Sequence, residues 1–412
     1  MLLDLSHTSH TTARTGVQRV ALGLYRAFGA AAQPLTFDPY AREWRDLKTW
    51  ERANLENPRR LGIKRRAHWP WSAQWSGRAR RAARWIAPAA SAQTGGTEAA
   101  SSWAAARGLI EPEIFSPDAA ATLPELFARV SGPKVALFHD AIALRMPELS
   151  PPRTVGRFPA YLRELAQFDG IAAISESSRV ELLEYWEWAG LRDTPPVAAI
   201  LLGIEGAEIE ARAAFERIQA RTTAEAKARP EVALQPVILS VGSIEGRKNH
   251  LGLVQACEIL WARGLKFELR MIGLPQRQTG SPALALIQQL QAAGRPLRYE
   301  GAAGDTARET AYAAAAFTVY PSFAEGFGLP VAESLVRGKP CVCLGSGALG
   351  EIAAGGGCLT VPYPSPEALA EACARLLQDP AELAALTAAA RRREFPSPAD
   401  HARRLAEWMG TL

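Results

Sequence analysis

The sequence predicts an α/β protein of two domains, each built on a mostly parallel sheet. Three observations carry this. A chain of 412 residues is longer than one hydrophobic core usually organises. Short apolar and β-branched runs, such as Lys134–Phe138, Val237–Val241 and Phe317–Tyr320, alternate with stretches of helical periodicity, the pattern of βα units. Several runs end in a glycine-bearing loop that leads into a helix, as at Gly16 and Gly328. Such loops sit at the carboxyl ends of strands, where open α/β sheets bind ligands.

The stretch from Phe317 to Gly338 shows the layout best. Phe317–Tyr320 reads as a buried strand that Pro321 and Ser322 stop, and the loop Glu325-Gly326-Phe327-Gly328 follows. From Leu329 a helix carries Glu333 about one turn inward. Backbone donors at that helix start suit an anionic or hydroxyl-rich ligand. Two glutamates eight apart also fit a solvated helix face, but Gly326 and Gly328 flanking an aromatic favour a ligand loop.

The segment EGFGLPVAE, with Glu325 and Glu333 at its ends, resembles the signature of family 4 of the retaining, nucleotide-sugar-dependent glycosyltransferases. A second block, Val241 to Ala256 (VGSIEGRKNHLGLVQA), is similar to that family's diphosphate-binding Arg-Lys element. The resemblance implies the GT-B architecture: two Rossmann-like domains with parallel sheets facing a central cleft. On that basis residues 1–204 form the acceptor domain, with an insertion over about 41–116, and 205–234 a linker. Residues 235–395 form the donor domain, and 396–412 a helix crossing back to the first.

In the first domain, Leu2 to Leu5 is a short strand and Ser6 to Gly16 a polar loop before a helix with Val17, Val20, Leu24 and Phe28 at near-helical spacing. Thr15-Gly16-Val17-Gln18-Arg19 resembles an element near the start of many bacterial family members, which implies that Gly16 lets the backbone approach the donor. Lys134–Phe138 ends in His139-Asp140, similar to the family's His-Asp-x-Ile-Pro-Leu phrase, although Ala143 replaces its usual proline. A lone histidine is more often structural, but the strand-end placement and the resemblance imply that His139 bonds a sugar hydroxyl or the surroundings of the scissile oxygen. Ser175 to Ser178 read as a helix cap, and Val197 to Gly203 as the domain's last strand.

The second domain opens with Val237–Val241, and Gly242-Ser243 turns it into the loop bearing Arg247 and Lys248. Asn249 caps the next helix. Phe267–Ile272 leads to Gly273-Leu274-Pro275, where the family holds the nucleotide base. Leu297–Glu300, Pro340–Leu344 and Cys358–Val361 are further strands, Pro366–Arg392 is helical, and Pro398–Trp408 is a final helix.

Cleaving the bond between an anomeric carbon and a nucleoside diphosphate leaves negative charge on the diphosphate. The chain contains no Asp-x-Asp metal motif. Arg247 and Lys248 supply adjacent cations, Arg with a fork that fits phosphate oxygens; alone they would pass for a solvated loop pair. The family implies that Glu333 accepts from the ribose hydroxyls and that Glu325 faces the transferred sugar with Phe327, Gly328 and Leu329. It also implies retention of configuration. Metal independence is expected from the cation pair and the missing Asp-x-Asp motif, and no cofactor is expected beyond the nucleotide-sugar substrate. The expected site comprises His139, Glu325, Arg247 and Lys248 for chemistry, and Gly16, Gly242, Leu274, Phe327, Gly328, Leu329 and Glu333 with the cation pair for the donor.

Between Arg59 and Arg84 nine basic residues (Arg59, Arg60, Lys64, Arg65, Arg66, Arg78, Arg80, Arg81, Arg84) occur without an acid, interleaved with Trp69, Trp71 and Trp75 and followed by Trp85. Cations with amphipathic indoles suit an anionic lipid surface. A structural insertion and a nucleic-acid contact are the other readings, the last without a recognised fold to support it. Five cysteines, all from Cys257 onward, show no disulfide or zinc spacing. No apolar run reaches the roughly 20 residues of a membrane span. These bounds lead to the expectation of a cytoplasmic protein, peripheral on the inner membrane. The family resemblance implies an enzyme that moves a hexose or deoxyhexose onto a surface-polysaccharide or lipid-linked glycan, with mannose from GDP-mannose first because the Gly16 and His139 elements resemble those of polysaccharide mannosyl- and rhamnosyltransferases. A nucleotide-sugar epimerase and an inactive scaffold are the rivals.

Overall fold

The computed structural model describes residues 1–13, 15–56, 69–86, 103, 105–227, 235–276 and 278–412. The first domain carries a seven-stranded sheet: β1 (Leu2–Asp4), β2 (Gln33–Asp38), β3 (Glu43–Asp46), β4 (Leu109–Glu111), β5 (Lys134–Phe138), β6 (Gly170–Ala173) and β7 (Val197–Ala199). Its order is β3-β2-β1-β4-β5-β6-β7, parallel except for the β2–β3 edge. The second carries six strands, β8 (Val237–Val241), β9 (Glu268–Ile272), β10 (Leu297–Tyr299), β11 (Phe317–Tyr320), β12 (Cys341–Leu344) and β13 (Cys358–Val361), in the order β10-β9-β8-β11-β12-β13. In each sheet the order reverses beside the first strand of the domain, which opens a crevice at the carboxyl ends of the strands.

The principal helices are α1 (Gly16–Phe28), α2 (Trp71–Ile86), α3 (Glu176–Trp188), α4 (Ile209–Lys227), α5 (His250–Ala262), α6 (Leu329–Val336), α7 (Gly347–Ala353), α8 (Pro366–Gln378), α9 (Pro380–Arg391) and α10 (Pro398–Met409). Helices cover both faces of each sheet, so the strands read as nearly continuous apolar runs. Phe138, Tyr161 and Trp186 pack one face of the first sheet, and Leu3, Leu24 and Leu137 the other. Leu405 and Met409 of α10 join that second face, and Pro398 lies 2.5 Å from where a Cβ on Gly203 would stand.

Two local expectations change. The region over 41–116 is not purely an insertion, because β3 forms the antiparallel edge and β4 lies between β1 and β5. β4 is three buried residues set between Gly108 and Pro112, too short to show a period. The linker, expected as helical or loosely ordered, is helical in α4 but belongs with the second domain, because Phe215 packs with Leu239 and Tyr312 there. Pro366–Arg392 is helical as expected, in two helices, because Pro380 cannot continue the first, and Asp379 caps α9 by accepting from Ala381 N and Glu382 N.

Candidate active site

After β8 the chain makes a tight turn, Gly246–Lys248, that presents Arg247 and Lys248. Asn249 ends it in the left-handed conformation (φ 52°), which asparagine tolerates. Its side chain accepts from Gly252 N at 3.2 Å to cap α5 and donates to Pro364 O at 2.7 Å. The two cations therefore stand on a pinned turn. A Cβ on Gly242 would sit 3.2 Å from Lys248 Nζ, so glycine keeps room for that side chain.

After β11, Glu325 is held by two donors. Arg247 Nη1 lies 2.7 Å from its Oε2, and Ser322 Oγ donates to Oε1 at 2.9 Å. Burial by itself would raise this carboxyl, but Arg247 and Lys248 outweigh it and hold it below the usual range. Arg247 also meets Glu245 at 3.0 Å, so its fork is committed to carboxylates on both sides. Lys248 is freer, with Glu245 at 3.7 Å.

Gly328 (φ 95°) adopts a conformation that side chains resist and starts α6, with Pro330 in its first turn. Glu333 follows, buried, and pairs with Arg19 of α1 from the opposite domain. Burial would raise Glu333, yet Arg19 and Arg337 keep it below the usual range. Arg19 also reaches Glu205 at 3.1 Å. From the first sheet, buried His139 donates through Nε2 to Pro112 O at 2.8 Å, leaving Nδ1 as an acceptor. Burial lowers its pKa, so the ring is neutral.

The two domains meet tightly here. Ser175 Oγ donates to Gly326 O at 2.6 Å, and Ser178 Oγ reaches the same carbonyl at 3.1 Å. Glu351 of α7 accepts from the backbone N–H groups of Glu176 and Ser177, capping α3 across the interface. The serines thus do more than the local capping expected of them. A Cβ on Gly326 would lie 2.2 Å from His139 O, so no larger residue fits.

These groups line one cleft of about 390 Å³. It contains every site residue expected from sequence: Gly16, His139, Gly242, Arg247, Lys248, Leu274, Glu325, Phe327, Gly328, Leu329 and Glu333. It adds Arg19, Asp140, Glu245 and Arg308. Arg19 was legible, three residues beyond Gly16 on the same helix start; Arg308 reaches the cleft only through folding. Gly16 faces Leu329 with space for a Cβ, so sterics alone do not require glycine there.

Two other sequence features take their meaning from the fold. Cys341, Cys343 and Cys358 bring three sulfurs within 4.8 Å of one another on β12 and β13, the single such group of potential metal ligands among the described residues, and outside the cleft. Sequence pairs Cys341 with Cys343, but only strand register adds Cys358. In the basic segment, Trp69 is buried and stacks on His10 at 3.9 Å, whereas Trp71 and Trp75 are 73% and 55% exposed. Arg80 pairs with Asp38 and Glu43, both at 2.7 Å, and Arg84 with Glu43 at 3.2 Å, so those charges are neutralised. Arg59, Arg60, Lys64, Arg65, Arg66 and the Trp85 side chain lie outside the described residues. No described helix is long and apolar enough to cross a membrane.

Two mostly parallel sheets facing a cleft, with the ligand-ready groups at their carboxyl ends, define a protein of the GT-B glycosyltransferase fold. Residues 223–393 match the family described as Glycosyl transferases group 1. The chain is 30% identical over 233 residues to O-antigen chain mannosyltransferase B of Escherichia coli, covering 55% of this chain and 57% of that protein. It is 26% identical over 255 residues to the serotype-specific mannosyltransferase WbdA of Escherichia coli, covering 57% of this chain and 30% of that one. The chain thus spans just over half of the first relative's length and under a third of the second's. Among solved structures it is similar to Anabaena Alr3699/HepE in complex with UDP and glucose, with a TM-score of 0.68, 14% identity and coverage of 100% and 99%. It is also similar to sucrose-phosphate synthase from Thermosynechococcus elongatus, with a TM-score of 0.63, 17% identity and coverage of 100% and 98%.

Proposed function

We propose that this chain is a retaining glycosyltransferase that moves a hexose or deoxyhexose from a nucleotide sugar to a glycan or lipid-linked glycan in surface-polysaccharide assembly. GDP-mannose is the first-choice donor, supported by relatives named for mannosyl transfer. The epimerase reading draws no support from them. The observation that carries the proposal is the convergence of Arg247, Lys248, Glu325 and Glu333 with Gly16 and His139 in one interdomain cleft.

As the bond from the anomeric carbon to the diphosphate breaks, Lys248 and Arg247 stabilise the leaving charge, which removes the need for a metal. Glu333 accepts from the ribose hydroxyls and His139 Nδ1 from a hydroxyl of the sugar. Glu325, kept ionised by Arg247, faces the transferred ring. The acceptor hydroxyl attacks from the face the diphosphate leaves, and the diphosphate takes its proton. Closure over the cleft excludes water and suppresses hydrolysis.

For location, the exposed Trp71 and Trp75 of α2, with the basic residues beside them, make a peripheral contact with an anionic inner-membrane surface. Because Arg80 and Arg84 are paired, the informative variant neutralises the other seven basic residues together, and vesicle sedimentation undiminished in that variant removes the lipid contact.

The deciding experiment is thermal stability with UDP-, GDP-, dTDP- and ADP-sugars without metal, where a ligand at about 100 times its Kd adds about 2.7 kcal/mol. A shift with one nucleotide, abolished in Glu333→Ala, is the expected result. No shift with any of them favours the scaffold reading.

A further inference from the structure

A second groove, of about 710 Å³, opens beside the cleft and runs along α3. The two adjoin at the chain itself, since Asp140 lines the cleft and Ala141 the groove. Its lining on α3 includes Ser177, Val180, Glu181, Glu184 and Trp188. Those positions recur at helical spacing, so one face of α3 forms the floor from the cleft outward. From Ser177 to Trp188 that floor extends about 16 Å, at 1.5 Å per residue.

The chemistry of this face is specific. Trp188 is 81% exposed and Val180 38%, although both are large apolar residues in the first domain. Tyr185 lies next to Trp188, ring centroids 5.9 Å apart. The lining carries four carboxylates, Glu176, Glu181, Glu184 and Glu351, against one guanidinium, Arg145. Arg145 is itself paired with Glu181, and Arg179 occupies Glu176. The net acidic lining repels phosphate and so disfavours a pyrophosphate-linked lipid or a nucleotide in this groove. With Glu176 and Glu181 paired and Glu351 engaged in capping α3, Glu184 is the lining carboxylate offered to sugar hydroxyls, and beside it an exposed indole offers a flat apolar surface that complements a neutral sugar ring.

We propose that this face of α3 holds the neutral glycan portion of the acceptor, several sugar units behind the hydroxyl that enters the cleft, with Trp188 as the stacking platform for a distal ring. The proposal rests on the transferase reading above and names the substrate class of its acceptor side: an oligosaccharide chain rather than a charged lipid carrier headgroup.

The test is calorimetric binding of neutral manno- and gluco-oligosaccharides, from mono- to pentasaccharide, to the full chain and to Trp188→Ala, with GDP and UDP binding measured in parallel. Because Trp188 is exposed, the variant should keep the wild-type circular dichroism. Affinity for one of the series should rise with length in the wild type. Trp188→Ala should weaken the longer members about tenfold, the scale of one lost aromatic contact, while leaving monosaccharide and nucleotide binding unchanged. Affinity that does not depend on length, or a Trp188→Ala variant that binds long chains as the wild type does, overturns the proposal. So does a variant whose only defect is lost sedimentation with anionic phosphatidylglycerol vesicles, which would make this face a membrane surface. Length-dependent sugar binding without any nucleotide binding would keep the groove as a glycan site and remove the transferase reading instead.

Discussion

Arg19 of α1 and Glu333 of α6 form an ion pair that spans the cleft between the two domains. The glutamate is buried and the arginine side chain 23% exposed, so neither charge is well solvated by itself. Removing one partner strands the other. A double-mutant cycle of Arg19→Ala and Glu333→Ala, followed by denaturant unfolding, should give a coupling of about 0.5–3 kcal/mol. Strict additivity would show that the pair does not hold the domains together.

Lys248 is the least committed cation close to Glu325. Lys248→Ala should lower transfer turnover by two to three decades, from the roughly 2.7–4 kcal/mol carried by one preorganised donor. Its thermal stability should stay near wild type. A loss below about threefold would contradict the charge-stabilising role given to it.

Gly326 tests the interdomain seam. A methyl group there collides with His139 O, which is backbone and cannot swing away. Gly326→Ala should cost about 100-fold in transfer by misplacing the loop proposed to face the sugar. Nucleotide affinity should fall less than transfer, because Arg247 and Lys248 lie on a separate turn. An equal loss of nucleotide binding would mean that the loop itself had collapsed.

Buried titratable groups divide the pH dependence of stability into two parts. Burial lowers His250 to about 3 and His401 to about 4, below the unfolded value of about 6.5. Their contribution is complete above pH 6.5 and is lost as acid protonates the unfolded chain. Burial raises Asp4 and Glu111, which sit side by side at the ends of β1 and β4. The folded state then holds protons that the unfolded state releases above about pH 4, so stability falls as pH rises toward 7. Melting temperatures from pH 4 to 8 should therefore show a shallower acid limb in His401→Gln. Asp4→Asn should gain on the wild type as pH rises. Either slope with the opposite sign would remove the corresponding assignment.

The sequence by itself determined the α/β class and the identity of the groups at the strand ends. Strands such as β5, β8 and β11 are buried on both faces, so their apolar runs are unmistakable, and Gly328 and Asn249 mark backbone turns that few other residues tolerate. The resemblance of their two motifs was enough to choose Glu325, Glu333, Arg247 and Lys248 as candidates, because each lies in the loop after a strand or in the first turns of the helix that follows it. Only the tertiary structure decided what crosses between segments. β4 is too short to carry a period, and its place in the sheet comes from pairing with β1 and β5. The bond from Ser175 to Gly326, the meeting of Arg19 with Glu333 and the addition of Cys358 to two other cysteines join residues far apart in the chain. Local propensity has no term for such contacts, since they depend on how two folded domains and neighbouring strands are brought into register.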